Sequence, residues 1–447
     1  MNALSAQPAV TMICSASASA RSHGLKKVLA LGKRSAKVLK RSLSSNGSAN
    51  TNSVARPGMS VYSWGTGTEG QLGHGEVDIS GLLSTTYTEM SPKRIDALES
   101  LNGGIVDIAC GTSHAAAVTA DGQVLTWGNA DNGKLGHNKA TGKVCLLPQP
   151  VEGELSERKV VQVECGKHYT AALTEEGDLY TWGRGETMTG GPGPLGHGDG
   201  KARKIPEKVF IGGKEDLKLK SIALGEKHMI SLGLDGEVWS WGKGEFGRLG
   251  NFANTDQATP FPIEYFLDMD IVVKQIACGQ KFCIALTEKG DVYSWGANDK
   301  CQLGLGGGLA MDYASMETLP THVENIPERI SHISAGFGHG VAVSESGGLY
   351  FWGSSLWFEP HLMTALKDHR IVQATCGNSF TVALSDAGQL FSWGKGFGFT
   401  LGKTGALGQG HANKVVQPEL IQSVANYPMQ KVEAGDKFCL ALSGLPN

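Results

Sequence analysis

Residues 105–128, IVDIACGTSHAAAVTADGQVLTWG, hold the pattern that decides the fold. A small residue and a glycine, Cys110-Gly111, are followed by Trp127-Gly128, 17 residues after the cysteine. The same offset runs from Cys165 to Trp182, Leu224 to Trp241, Cys278 to Trp295, Ala335 to Trp352 and Cys376 to Trp393, and glycine follows every one of these residues. Two members stand alone: Trp64-Gly65 has no pair before it, and Ala434-Gly435 has no tryptophan after it. A fixed internal offset repeated along a chain signals a repeat architecture, and that outranks any single short motif.

Working outward from Trp-Gly, each unit reads as four strands. A β-rich stretch such as Val292-Tyr293-Ser294-Trp295 ends in glycine. A turn then closes on Leu-Gly eight residues after Trp, at Leu72, Leu135, Leu249, Leu303 and Leu401. Prolines at 92, 206, 320 and 418 open an apolar run that suits an outer strand, where the missing N–H is tolerated. Another apolar stretch leads into the next small-Gly pair. Four strands in roughly 41 to 63 residues is the size of a propeller blade. The expected fold is therefore all-β, a seven-bladed propeller. Its last blade joins the strand ending at Trp64 to the strands around Ala434, which closes the ring and removes free edges.

Composition agrees. The chain has 447 residues and 62 glycines, as many tight turns require, and no apolar run nears the roughly 18 residues of a membrane-spanning helix. Nine cysteines are an odd number, and Cys110, Cys165, Cys278 and Cys376 recur at one repeat position. They read as reduced, small core residues rather than a disulfide framework or a zinc site. Neither a metal nor a cofactor is expected.

Charge divides the chain into two parts. Residues 1–57 carry nine Lys or Arg and no acidic residue, which leaves the 58–447 propeller at about −12. From Leu25 to Leu43 a helix gathers an apolar face, with Lys26, Lys33, Arg34, Lys37, Lys40 and Arg41 opposite. That profile suits an organellar transit segment and points to the mitochondrion. Its paired basic residues also fit a nuclear signal or a nucleic-acid arm.

The Trp-Gly, Gly-x-Leu-Gly, Pro-x-x-Val and Cys-Gly-x-x-His series resembles the regulator of chromosome condensation repeat family, over about residues 58 to 445. The resemblance implies a propeller used for protein contacts. Family members include a nucleotide exchange factor for the GTPase Ran, an ultraviolet-B photoreceptor, a β-lactamase inhibitor, ubiquitin-ligase modules and mitochondrial ribosome-associated proteins. The exchange factor uses Asp and His two positions after the glycine of the small-Gly pair. Those positions here hold Ser113, His168, Lys227, Lys281, Gly338, Ser379 and Lys437, so only His168 matches in type. The photoreceptor's tryptophans, one position earlier, are absent. The resemblance thus implies a monomeric, non-enzymatic interaction scaffold, associated with a ribosome or RNA–protein assembly, and guanine-nucleotide exchange on a small GTPase is the alternative.

Two stretches imitate nucleotide loops. Gly65-x-Gly67-x-x-Gly70 and Gly242-x-Gly244-x-x-Gly247 match the dinucleotide fingerprint, but each is the ordinary Trp-Gly turn and leads to Leu-Gly rather than to a helix. His114, His228 and His339 recur three residues after the pair's glycine, and such repetition predicts a structural hydrogen bond inside each blade. Departures from the repeat are the better recognition candidates, because loops on a rigid scaffold carry function. The turn from Trp182 to Leu195 is five residues longer than standard, contains Glu186 and Met188, and leads to Lys201, Arg203 and Lys204. After Trp352 the Gly-x-Leu-Gly turn is missing, and Trp357 and Phe358 stand there as docking or gap-filling aromatics.

Overall fold

In the computed structural model, residues 59–76, 87–99, 101, 104–140, 142–186, 191–212, 217–306, 316–395 and 404–444 are described. They form seven antiparallel sheets of four strands. Blade 1 holds β3 to β6 (Ile105–Cys110, His114–Thr119, Val124–Asn129, Val144–Pro150), and blade 2 holds β7 to β10 (Val160–Cys165, Tyr169–Thr174, Leu179–Gly183, Arg203–Val209). Blade 3 follows with β11 to β14 (Leu219–Leu224, His228–Gly233, Val238–Gly242, Gln257–Pro262) and blade 4 with β15 to β18 (Val273–Cys278, Phe282–Thr287, Val292–Ala297, Met316–His322). Blade 5 is β19 to β22 (Ile330–Ala335, His339–Ser344, Leu349–Gly353, Trp357–Leu362) and blade 6 is β23 to β26 (Ile371–Cys376, Phe380–Ser385, Leu390–Gly394, Val415–Leu420). Blade 7 takes β27 and β28 (Met429–Ala434, Phe438–Ser443) from one end of the chain and β1 and β2 (Val61–Thr66, Thr88–Arg94) from the other. Trp64 pairs with Cys439 and Val61 with Leu442. The inner strands touch in a closed cycle, with β27 meeting β3. The expected ring closure is therefore present.

The Trp-Gly signature follows from one close approach. The glycine after each Trp has φ between 94° and 118°, and a Cβ there would lie 2.4 to 2.7 Å from the carbonyl oxygen of the inner loop. Glycine alone meets both demands. The next residue's N–H donates to that same carbonyl at 2.7 to 3.0 Å in all seven blades, for example Arg184 N to His168 O. The third-to-fourth strand register shifts across every Trp, as at Ser63/Gly65. Such a bulge bends the strand and re-aims its side chains.

Five of the seven indoles then reach back to the blade before them, whereas the buried Trp182 Nε1 has no hydrogen-bond partner. Trp127 Nε1 donates to Gln71 O (2.9 Å), Trp241 to Pro194 O (2.7 Å), Trp295 to Arg248 O (3.1 Å), Trp352 to Gln302 O (2.9 Å) and Trp64 to Ala406 O (2.9 Å). Each acceptor precedes the leucine of a Leu-Gly pair, whose own carbonyl takes a hydroxyl proton from the residue before Trp in its own blade. In blade 6 that leucine is Leu407: Ser392 Oγ donates to its carbonyl at 2.6 Å, and Gly408 lies against Trp64. Leu401, expected there from its spacing, lies outside the described residues. The insertion moves the pair six residues along the chain, because the hydroxyl and the indole need that geometry rather than that count. Blade 5 lacks both parts of the device, with Phe351 in the hydroxyl position, and Trp393, which it leaves without that acceptor, is 5 % exposed, against 0 % for the other six, the unpartnered Trp182 included.

The recurrent histidines correct a second expectation. Their bonds run between blades, not within them: His114 Nε2 to Thr170 Oγ1 (2.8 Å), His228 Nε2 to Cys283 Sγ (3.1 Å) and His339 Nε2 to Thr381 Oγ1 (3.0 Å). A further inter-blade belt comes from inner-strand amides. Gln275 Nε2 donates to Ile333 O while its Oε1 accepts from Ile333 N, both at 3.1 Å; Gln162 does the same for Ile222, and Gln373 for Val432. Side chains here satisfy edge backbone groups that no fifth strand covers.

Removing an indole donor should therefore matter only where an acceptor waits. Trp127→Phe should destabilise the chain by about 1–3 kcal/mol more than Trp393→Phe, because it leaves the buried Gln71 carbonyl unpaired. Denaturant midpoints of the two variants measure this, and equal losses would contradict the capping role.

Candidate functional site

The small-Gly pairs of all seven blades meet at the axis around a cavity of about 310 Å³. Its wall is made of Cys110, Cys165, Leu224, Cys278, Ala335, Cys376 and Ala434 with the glycines that follow all but the first. Size is restricted here because seven loops converge. Backbone bonds also circle the mouth, for instance Asp436 N to Gly111 O (3.2 Å) and Gln280 N to Gly336 O (3.1 Å). At the rim, Lys167 pairs with Glu226 (2.8 Å), and Asn378 Nδ2 donates to Asp436.

The next residue of each loop occupies the exchange-type position. His168 is half-buried there, and burial, followed by the charges of Lys134, Lys167 and Arg184, lowers its pKa to about 4. The imidazole is therefore neutral near pH 7. Lys134, 2 % exposed, is itself lowered to about 8 by burial, and its Nζ donates to Ser113 Oγ (3.0 Å). Lys227, Lys281 and Lys437 fill three more of the seven positions, and none has a carboxylate within ion-pair distance among the described residues. Lys281 Nζ instead lies 4.6 Å from the ring centroid of Phe246, and Arg248 packs against the same ring. Sequence reasoning passed over these lysines as mismatches to Asp or His. Their recurrence was the available signal.

The long turn of blade 2 roots directly beside His168, through the Arg184 N–His168 O bond. Glu186 is exposed and forms a β-bridge with Pro192, while its carbonyl accepts from Arg184 Nε (2.9 Å). Met188 lies outside the described residues. Arg203 is neutralised by Asp199 (2.6 Å) and Glu207 (2.8 Å), Lys201 extends into solvent, and Lys204 packs its backbone against Gly133 of blade 1. Trp357 and Phe358 sit on the outer strand of blade 5, 41 % and 44 % exposed, with Trp357 stacked on His361 at 3.9 Å. The blade 2 residues and the blade 5 aromatics are thus three blades apart and do not form one site. Lys26, Lys33, Arg34, Lys37, Lys40 and Arg41 lie outside the described residues.

Deeper along the inner strands, blades 7, 1 and 2 bring Lys431 between Asp107 and Glu433, with Glu164 beside them. Burial first, then the charge of Glu433, pushes the Glu164 carboxyl up to about 8. The fold therefore binds a proton that the unfolded chain releases near 4.5. Its contribution to stability is complete below that pH and is lost as pH rises toward about 8. Glu164→Gln should flatten the fall in denaturant midpoint between pH 5 and 8. An unchanged slope in that window would show that Glu164 does not hold the proton.

The profile of the RCC1-like domain family matches residues 60–441. The E3 ubiquitin-protein ligase HERC2 of Mus musculus is 34 % identical over 71 % of this chain, which spans only 6 % of HERC2. The RCC1 domain-containing protein RUG3, mitochondrial, of Arabidopsis thaliana is 31 % identical over 72 % of this chain and 74 % of its own length. The crystal structure of Prp20p from Saccharomyces cerevisiae superposes with a TM-score of 0.75 at 24 % identity, covering 87 % of this chain and 92 % of that one. Blade number, ring closure and the matched span agree, and this chain belongs to the RCC1-like domain family.

Proposed function

We propose that the chain is a non-enzymatic interaction scaffold that docks an acidic protein surface on the face carrying the inner loops and the long turns. One observation carries this reading: the two faces of the ring differ in charge balance, the described loops of this face holding fourteen Lys or Arg against ten carboxylates. The six hairpins between second and third strands of blades 1 to 6, which all emerge on the opposite face, carry ten carboxylates and one lysine. On the loop face stand Lys227, Lys281 and Lys437 without carboxylate partners among the described residues. A protein that is acidic as a whole thus gathers a cationic mouth. Such a field steers an acidic partner to one face and repels it from the other.

Phe246 supplies an apolar anchor on the same face. It is 41 % exposed and holds φ 64°, a backbone region that a phenylalanine rarely adopts. Strain kept at an exposed aromatic supports a recognition role. The mitochondrion is the proposed location, supported by the acid-free segment 1–57 and by the mitochondrial relative RUG3. A ribosome or another RNA–protein assembly is the partner class that suits both parts of the chain, with the basic segment on RNA and the loop face on protein; the nucleus is the alternative location. Nucleotide exchange is the second reading. It is favoured by the contact between His168 and the root of the long turn, and by the fold shared with Prp20p, a protein described with binding properties toward Gsp1p and histones.

Organelle fractionation followed by affinity purification of the tagged full chain reads location and partner together. A Lys227→Glu/Lys281→Glu/Lys437→Glu variant should lose its partners, whereas Glu288→Lys/Asp386→Lys on the opposite face should keep them. The reverse pattern would sink the face assignment, and a partner-free chain in every fraction would sink the scaffold reading. Phe246→Asn should weaken partner capture by about tenfold or more, as loss of an interface anchor does, without lowering the denaturant midpoint. Accelerated nucleotide release from a GTPase panel, abolished by His168→Ala, would favour exchange instead.

A further inference from the structure

Four inner strands end in cysteine, and in three blades the residue paired across the hairpin is Thr170, Cys283 or Thr381, the acceptor for the histidine of the preceding blade or its equivalent ring. Cys376 pairs with Thr381, which His339 reaches; Cys165 pairs with Thr170, which His114 reaches. In blade 4 the hydroxyl is replaced by a second thiol. Cys278 pairs with Cys283, and His228 of blade 3 reaches Cys283. Three soft donor atoms thereby converge within 4.8 Å of one another, among buried or half-buried residues.

We propose that His228 Nε2, Cys278 Sγ and Cys283 Sγ form a Zn2+ site that staples blade 3 to blade 4. The two sulfurs are 3.8 Å apart. A tetrahedral ion with Zn–S bonds of about 2.3 Å requires a sulfur–sulfur edge of about 3.8 Å. The nitrogen–sulfur edge needs about 3.6 Å with a Zn–N bond of about 2.1 Å. The present 3.1 Å is a direct hydrogen bond, so the ring must withdraw by a few tenths of an ångström. Cys278 and Gly279 line the axial cavity, which provides an entry path and space for water as fourth ligand. On binding, each thiol gives up its proton, two protons leave for each ion, and the Zn2+–dithiolate core is neutral, as a buried site favours. No electron transfer is involved. The site is independent of the docking reading, since none of its three ligands is a residue assigned to docking.

The test uses the reduced, chelator-treated full chain titrated with Co2+ and then Zn2+. One equivalent of Co2+ should produce a thiolate-to-metal absorption band, Zn2+ should displace it, and about two protons should be released per ion. Cys283→Thr installs the residue found at this position in blades 2 and 6, so the fold and the histidine bond are kept while one donor is lost. Its affinity should fall at least about 100-fold, more than loss of an outer-shell partner costs. Cys376→Ser should still bind one equivalent. Zn2+ should also raise the unfolding temperature of the parent chain and leave that of Cys283→Thr unchanged. Absence of the thiolate band, or equal uptake by Cys283→Thr with its circular dichroism unchanged, would overturn the site.

Discussion

Everything else in the ring hangs on the hydrogen bond between the residue after Trp-Gly and the carbonyl of the inner loop. It fixes the third strand against the loop that joins the first two. The strand must come so close that a Cβ is excluded, hence the glycine. The bulge that results turns the tryptophan onto the neighbouring blade, hence the indole. Because the loop carbonyls belong to Ser113, His168, Lys227 and their equivalents, the same bond holds the backbone of the mouth residues in place. Scaffold and recognition surface therefore share one constraint. Side chains at those positions vary freely, since the fold uses only their backbone.

The readable parts of the chain are those where one residue type meets a local demand. Trp127-Gly128, Cys110-Gly111 and the unmatched ends at Trp64 and Ala434 reported blade number and closure, because each marks a steric requirement that few residues meet. What stayed hidden depends on partners far along the chain. His114 bonds to a residue 56 positions away, so recurrence suggested a bond without showing that it crosses to the next blade. The glutamine belt at 162, 275 and 373 is visible as three identical residues three positions before cysteine, but only adjacency of the inner strands gives it meaning. Leu401 misled for a different reason: spacing was counted, whereas the chain satisfies a geometry at Leu407 and loops out the surplus.

The candidate site was less legible than the fold. His168 and the root of the blade 2 turn lie together through the Arg184 N–His168 O bond, which the irregular spacing alone does not show. Arg203 is closed off by two carboxylates within four residues of it, which a tally of basic residues cannot show. The difference in charge balance between the faces was also masked, since a net value of about −12 for residues 58–447 hides a cationic mouth and an anionic opposite face. Alternating loops along the chain belong to opposite faces, so the polarity appears only after topology sorts them.

Closure by the two ends has a temporal side. Ser60 and Ser443 are bonded across a sequence separation of 383. At a synthesis rate of about 5–20 residues per second, roughly 20 to 75 s pass between emergence of the first strand and arrival of its partner. Through that interval β1 presents an open edge. A chain ending before Phe438 would lack β28, the strand that joins β27 to β1, and its seam would stay open.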